Sequence, residues 1–141
     1  MVAGDISSSS VLLTYKGKVL LLSPDNLNLD AVRDNIWSLI GGIKSKNESF
    51  EDTVCRKVEY FTKLTLKTLQ PLSNLPYGDK NRHFYVCKLT DEHVNHMERR
   101  EGKKLEFFTW EEAEKLTLSE SASTLFTQYK NEVKELLNLT P

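Results

Sequence analysis

An excess of charge of either sign is missing from this chain. Its 19 basic and 20 acidic residues nearly cancel, leaving a formal net charge of −1 at pH 7 over 141 residues. So balanced a chain has no global field to draw in nucleic acid or an anionic membrane, and neither is expected as a partner. Cysteine is nearly missing as well. Cys55 and Cys87 stand alone, without a CxxC pair or a His/Cys cluster. That argues against a disulfide framework and suits a reduced, cytoplasmic protein. No apolar run reaches the roughly 20 residues that span a bilayer, and no N-terminal run has signal-peptide form. Repeats, low-complexity tracts and a second-domain linker are missing too. What remains is one domain, long enough to bury a core. We place it at residues 9–141, after a flexible arm at 1–8. The four serines that end the first ten residues belong to that arm or to the start of an edge strand.

The apolar pattern is mixed. Val11 to Tyr15 and Val19 to Leu22 flank Lys16-Gly17-Lys18 and predict a hairpin turning at Gly17. Residues 24–36 carry Pro24, three Asn and three Asp and read as a loop. A short strand is expected at 37–40. A helix is expected at 49–62, with Glu48 and Ser49 near its start to suit the orphan amides there. Residues 64–69 alternate Leu with Thr and Lys, the pattern of a half-buried strand. Pro71, Pro76 and Gly78 mark 71–81 as a loop. A strand at 82–89 is followed by a charged loop through Gly102. A strand at 105–109, a short helix at 110–116 and a terminal helix at 120–137 complete the reading.

The stretch from Gly42 to Leu64 resembles the Nudix box, G-x5-E-x7-R-E-U-x-E-E-x-G-U, where U is aliphatic. Gly42, Glu48, Arg56, Val58 and Leu64 fall in register. Trp37-Ser38-Leu39-Ile40-Gly41-Gly42 resembles the W-x-x-P-G-G run into that box. The order of elements and the stretch from Glu106 to Glu112 extend the resemblance over roughly residues 9–137. It implies an α/β fold, a Nudix-like α/β/α sandwich around a mixed sheet. It also implies an ancestral chemistry: magnesium- or manganese-dependent hydrolysis of the diphosphate in a nucleoside diphosphate linked to some group X.

The resemblance breaks at the metal ligands. The family's three metal-gripping acids are replaced by Lys57, Tyr60 and Phe61, and its late glycine by Lys63. At about 100° per residue, positions 57, 60 and 61 project within an arc of about 100°. Glu59 projects about 150° from the centre of that arc, and Glu51 and Asp52 more than about 120° away. None reaches the same point without unwinding the helix. No cofactor is therefore expected, and magnesium or manganese enters by family resemblance only.

Each retained residue has a plain reading beside a functional one. Gly41 and Gly42 serve a tight turn with unusual backbone angles, or the phosphate-side loop that the resemblance implies. Glu48 and Arg56 are the retained box residues that, in the family, order the loop and helix. Phe50, Val54, Val58 and Phe61 follow helical spacing and predict a core stripe. Lys57 is a solvated lysine, or an ammonium standing where a cation would sit and touching an anionic ligand. Gly41, Gly42, Lys44, Lys57 and Tyr60 are the candidate ligand-binding residues, and no catalytic residue is assigned. Trp37, Phe108 and Trp110 are expected in the core. His83 is read as polar decoration of a strand edge, and His93 and His96 as residues without a ligand. The basic residues from Arg99 to Lys104 read as a solvated loop.

Three functions fit: a degenerate Nudix domain binding a nucleotide or other phosphorylated small molecule, an active hydrolase with a rebuilt metal site, and a non-catalytic protein-interaction module. A homodimer is the expected assembly by resemblance.

Overall fold

A computed structural model of the chain describes residues 7–24, 36–77, 80–99 and 103–138. Strand β1 (Ser7–Tyr15) turns through Lys16 and Gly17 into β2 (Lys18–Pro24). Both turn residues have positive φ, 50° at Lys16 and 80° at Gly17. A two-residue hairpin turn of this hand matches the twist of the flanking strands. β3 (Ile36–Trp37) and β4 (Ile40–Ile43) follow, then helix α1 (Phe50–Thr62). Next come β5 (Gln70–Tyr77), β6 (Lys80–Lys88), α2 (Asp91–His96) and β7 (Lys103–Phe108). The chain continues through α3 (Trp110–Glu114), β8 (Thr117–Leu118), α4 (Glu120–Gln128) and α5 (Lys130–Asn138).

The main sheet runs β5-β6-β1-β2-β7, with β4 also paired to β1. β1 lies parallel to β6 and antiparallel to β2 and β4, so the sheet is mixed. One edge of β1 is divided between two partners: Ser8 to Val11 pair with β4, and Leu13 to Tyr15 with β2. β3 and β8 form a separate parallel pair.

Apolar runs in β1 and β2 supply both faces of this sheet. Val11, Leu13, Leu20 and Leu22 meet Val54 and Val58 of α1. Leu12, Val19 and Leu21 meet Trp110, Leu125, Phe126 and Val133 from the C-terminal helices. Helices thus cover both faces, and the expected α/β/α sandwich is what forms. Trp37 and Trp110 are buried, and Phe108 packs edge-on against Trp37 at 4.9 Å between centroids. No helix among the described residues is long and apolar enough to cross a membrane.

Several elements differ from the sequence reading. Ser7 and Ser8, assigned to the arm, lie in β1, which is an interior strand flanked by β4 and β6. The loop expected at 24–36 falls, between its ends, outside the described residues. Residues 64–69 keep the expected alternation, with Leu64 and Leu66 buried, but form no ladder. Much of the expected loop at 71–81 is instead β5 and the start of β6. Pro71 and Pro76 fit there because β5 is an edge strand, where a missing amide hydrogen is tolerated. The charged stretch after β6 contains α2, whose Thr90 cap is reciprocated by His93 Nδ1 accepting from the Thr90 amide at 3.1 Å. The single terminal helix is two, broken at Tyr129 with φ −121° and ψ 34°.

Candidate functional site

Helix α1 starts where its capping chemistry dictates. The Ser49 hydroxyl accepts from the Asp52 amide at 3.0 Å, and Asp52 Oδ2 accepts from the Ser49 amide at 3.2 Å. That reciprocal pair satisfies two orphan donors. Val54 and Val58 are fully buried against the sheet, with Phe50 and Phe61 packed beside them. Phe61 has therefore joined the core, leaving Lys57 and Tyr60 on the side of the helix that the box carboxylates would occupy.

Two of the retained box residues, Glu48 and Arg56, form a lock between loop and helix. Arg56 donates to Glu48 twice, from Nε at 2.6 Å and from Nη2 at 3.1 Å. Glu48 also accepts from the Thr53 hydroxyl at 2.9 Å and from the Ser45 amide at 3.3 Å. These donors, the Arg56 guanidinium foremost, hold the Glu48 carboxyl at a pKa of about 2. Glu48 does not reach the helix amides; Ser49 does that work, while Glu48 ties residue 45 to residues 53 and 56.

Gly41 and Gly42 are not a loop. They belong to β4, where Gly42 is aligned with Ser9 and Gly41 with Ser10, and neither has a positive φ. The expected turn or loop backbone at this pair is corrected by that pairing, since both residues are extended strand. Close approach is what asks for glycine here. A Cβ on Gly41 would run into the Ser9 carbonyl oxygen and lie 2.6 Å from Ser10 Cα. A Cβ on Gly42 would lie 2.6 Å from Lys57 Cε and 3.5 Å from Lys57 Nζ. The stem of Lys57 is thus laid across Gly42, with its ammonium beside the strand.

The other candidates gather around this contact. Lys57 Nζ lies 5.9 Å from the ring centre of Tyr60, which is 47% exposed and meets Phe61 edge-on at 4.9 Å. Lys44 extends the β4 pairing, its amide donating to the Ser7 carbonyl at 2.8 Å. Its Nζ donates to the Ser45 carbonyl at 3.1 Å and stands 5.6 Å from the centre of the Phe50 ring. Further along α1, Arg56, Glu59, Tyr60 and Lys63 line an open groove of about 480 Å³.

Three residues near the site were not assigned to it from sequence. His83 stacks on Phe50 with ring centres 3.6 Å apart and 23° between planes. It is not edge decoration: β6 is an interior strand, and burial pushes the imidazole pKa down. Ser9, which register places between Gly42 and His83, donates its hydroxyl to the Phe50 carbonyl at 2.8 Å. Lys63 caps α1 in the left-handed region, φ 67° and ψ 8°. That is the box glycine's position, so the backbone keeps a glycine conformation without the glycine. This last residue had a signal in the sequence, since the pattern itself calls for glycine there.

The donor set does not suit a divalent ion. Magnesium requires several hard oxygen ligands, and the helix face presents an ammonium and a phenol. Glu48 is engaged by Arg56, and Glu59 accepts from the Thr65 hydroxyl at 3.3 Å. No group of three acidic, His or Cys side chains that could hold a metal occurs among the described residues.

No protein-family model matches the sequence, and no curated protein matches it. Solved structures do. A MutT/Nudix family protein from Listeria innocua is 20% identical, with 96% of this chain and 98% of that one covered, at a TM-score of 0.71. A MutT Nudix hydrolase from Burkholderia pseudomallei is 16% identical over 87% and 96%, at 0.68. A bifunctional NMN adenylyltransferase/ADP-ribose pyrophosphatase from Francisella tularensis, complexed with AMP and manganese, is 11% identical over 91% and 42%, also at 0.68. The chain has the Nudix fold.

Proposed function

We propose that this Nudix-fold chain binds a phosphorylated, nucleotide-like small molecule and does not hydrolyse it efficiently. One observation carries the reading: at the first of the three carboxylate positions of the box stands Lys57, packed across Gly42. In the family chemistry a divalent ion neutralises the diphosphate, polarises it and helps activate water. A helix face bearing an ammonium supplies only the first of these. Arg56 and Glu48 keep the loop-helix junction ordered, and Lys57, Lys44 and Tyr60 offer charge and an exposed ring to a ligand. A bifunctional Francisella protein that shares this fold over 42% of its length was solved in complex with AMP and manganese, which is in keeping with a nucleotide-like ligand. The setting we propose is cytoplasmic, and the assembly a homodimer.

A second reading is a non-catalytic interaction module. Ile43, the residue after Gly42 in β4, is 67% exposed and Tyr60 47% exposed, and such side chains suit a protein partner. An active enzyme is the third reading, and it needs metal ligands from elsewhere in the chain.

The test is phosphate release from nucleoside triphosphates, ADP-ribose, diadenosine polyphosphates and nucleotide sugars, beside a thermal-shift screen of the same compounds. Binding without turnover is expected, and a bound ligand raises apparent stability by mass action. Turnover near about one per second, well inside the enzymatic range, would overturn the proposal in favour of the third reading. Absence of any thermal shift would favour the interaction module.

A further inference from the structure

The geometry points to Lys57 as a built-in cation in place of the divalent ion, so that the site takes a bare diphosphate and magnesium opposes binding. The inference rests on the ligand-binding reading above and adds to it the form in which the ligand is bound.

Four features of the molecule lead there. The stem of Lys57 lies across a glycine, and the absence of a Cβ at Gly42 leaves room for its ammonium beside the strand. Among the described residues no carboxylate pairs with Lys57 or Lys44, so both ammonium groups keep their charge available. Lys44 lies two residues beyond Gly42 in the same extended register, and alternation places it on the face of β4 that Lys57 covers. Finally, Lys44 Nζ has one hydrogen bond, to the Ser45 carbonyl, and an ammonium has three donors.

The metal dependence follows from charge. Where carboxylates line the helix, magnesium bridges protein and phosphate. Here the helix offers a cation, so a magnesium-diphosphate complex brings its positive ion against Lys57. Free diphosphate presents its full negative charge to the two lysines. Magnesium then competes with the protein for the ligand instead of recruiting it.

The experiment is calorimetric titration of inorganic pyrophosphate into the full chain, in EDTA and then with magnesium in excess of pyrophosphate. Wild type should bind in EDTA, and magnesium should weaken binding. Lys57→Met, which keeps an unbranched stem over Gly42, should weaken binding in EDTA about tenfold or more, the scale of a charged hydrogen bond. Unchanged circular dichroism and melting would show that the variant is folded. The magnesium reversal on wild type tests the idea independently of any variant. Pyrophosphate binding that magnesium strengthens, or that Lys57→Met leaves intact, overturns the inference. So does wild type that ignores pyrophosphate. In each case a nucleotide that still shifts the melting of wild type and Lys57→Met alike leaves the ligand-binding reading standing, whereas no shift from any compound removes both.

Discussion

Lys57 occupies the space that a side chain on Gly42 would need, and the neighbouring Gly41 is closed off by backbone instead. This difference separates two glycines that the sequence presents as a pair. At Gly42 the obstacle is the far end of a flexible side chain, which can swing away. At Gly41 it is the carbonyl of Ser9 and the Cα of Ser10 in β1.

Gly42→Ala should therefore fold with a loss of less than about 1 kcal/mol, while Gly41→Ala should lose about 1–3 kcal/mol, the usual range for overpacking. Urea unfolding of the two variants measures both. Gly42→Ala should in addition resemble Lys57→Met in pyrophosphate binding, because its methyl group evicts the lysine stem. Equal destabilisation by the two alanines would contradict the geometry.

Lys63→Gly should stabilise the fold. A non-glycine residue in the left-handed region is strained by about 1–2 kcal/mol, and glycine returns part of that as added freedom of the unfolded chain. The expected net gain is about 0.5–1 kcal/mol in denaturant unfolding. The cap hydrogen bond from the residue 63 amide to the Glu59 carbonyl, 2.9 Å, is unaffected by the exchange.

Glu48 should make acid stability depend on one side chain. Its carboxyl falls from an ordinary 4.5 to about 2 in the folded chain. The unfolded state therefore binds more protons between these values, so the contribution is complete above about 4.5 and is lost as pH falls toward 2. Glu48→Gln should flatten the stability-pH curve in that window, and an unchanged slope would show that Arg56 and Thr53 do not hold the carboxylate as described.

His83 should act in a separate window. Burial lowers its pKa below the ordinary 6.5, so the unfolded chain takes up the proton first. Stability from this group is complete above that value and declines as pH falls below it. An NMR titration should place the imidazole below the range of an exposed histidine. His83→Phe should keep a ring against Phe50 and remove that component of the pH dependence.

What the sequence revealed was local. The hairpin was legible because Lys16-Gly17 is a two-residue turn between apolar runs, and α1 because Phe50, Val54 and Val58 recur at helical spacing. The box frame located the Glu48–Arg56 lock. What stayed hidden depends on partners far along the chain. Pro71 and Pro76 signal a loop until β5 is known to be an edge strand. Gly41 and Gly42 signal a turn until β1 is laid beside them. His83 looks like a surface residue until parallel pairing sets it next to Ser9, and so close to Phe50. The break at Tyr129 has no proline or glycine to announce it. Lys57 was visible as a substitution, but its resting place on Gly42 required both elements in three dimensions.

The parallel register from Ser7 with Asn81 to Thr14 with Lys88 has a kinetic consequence. The β1–β2 hairpin and α1 are short-range and close quickly, whereas joining β6 to β1 encloses the whole box region in one long loop. Such closures are entropically expensive and slow the search for the native topology. Ser9, Phe50 and His83 come together only when that loop shuts. The environment around Lys44 and the start of α1 is therefore completed by a long-range pairing, and a peptide carrying the box alone would not reproduce it.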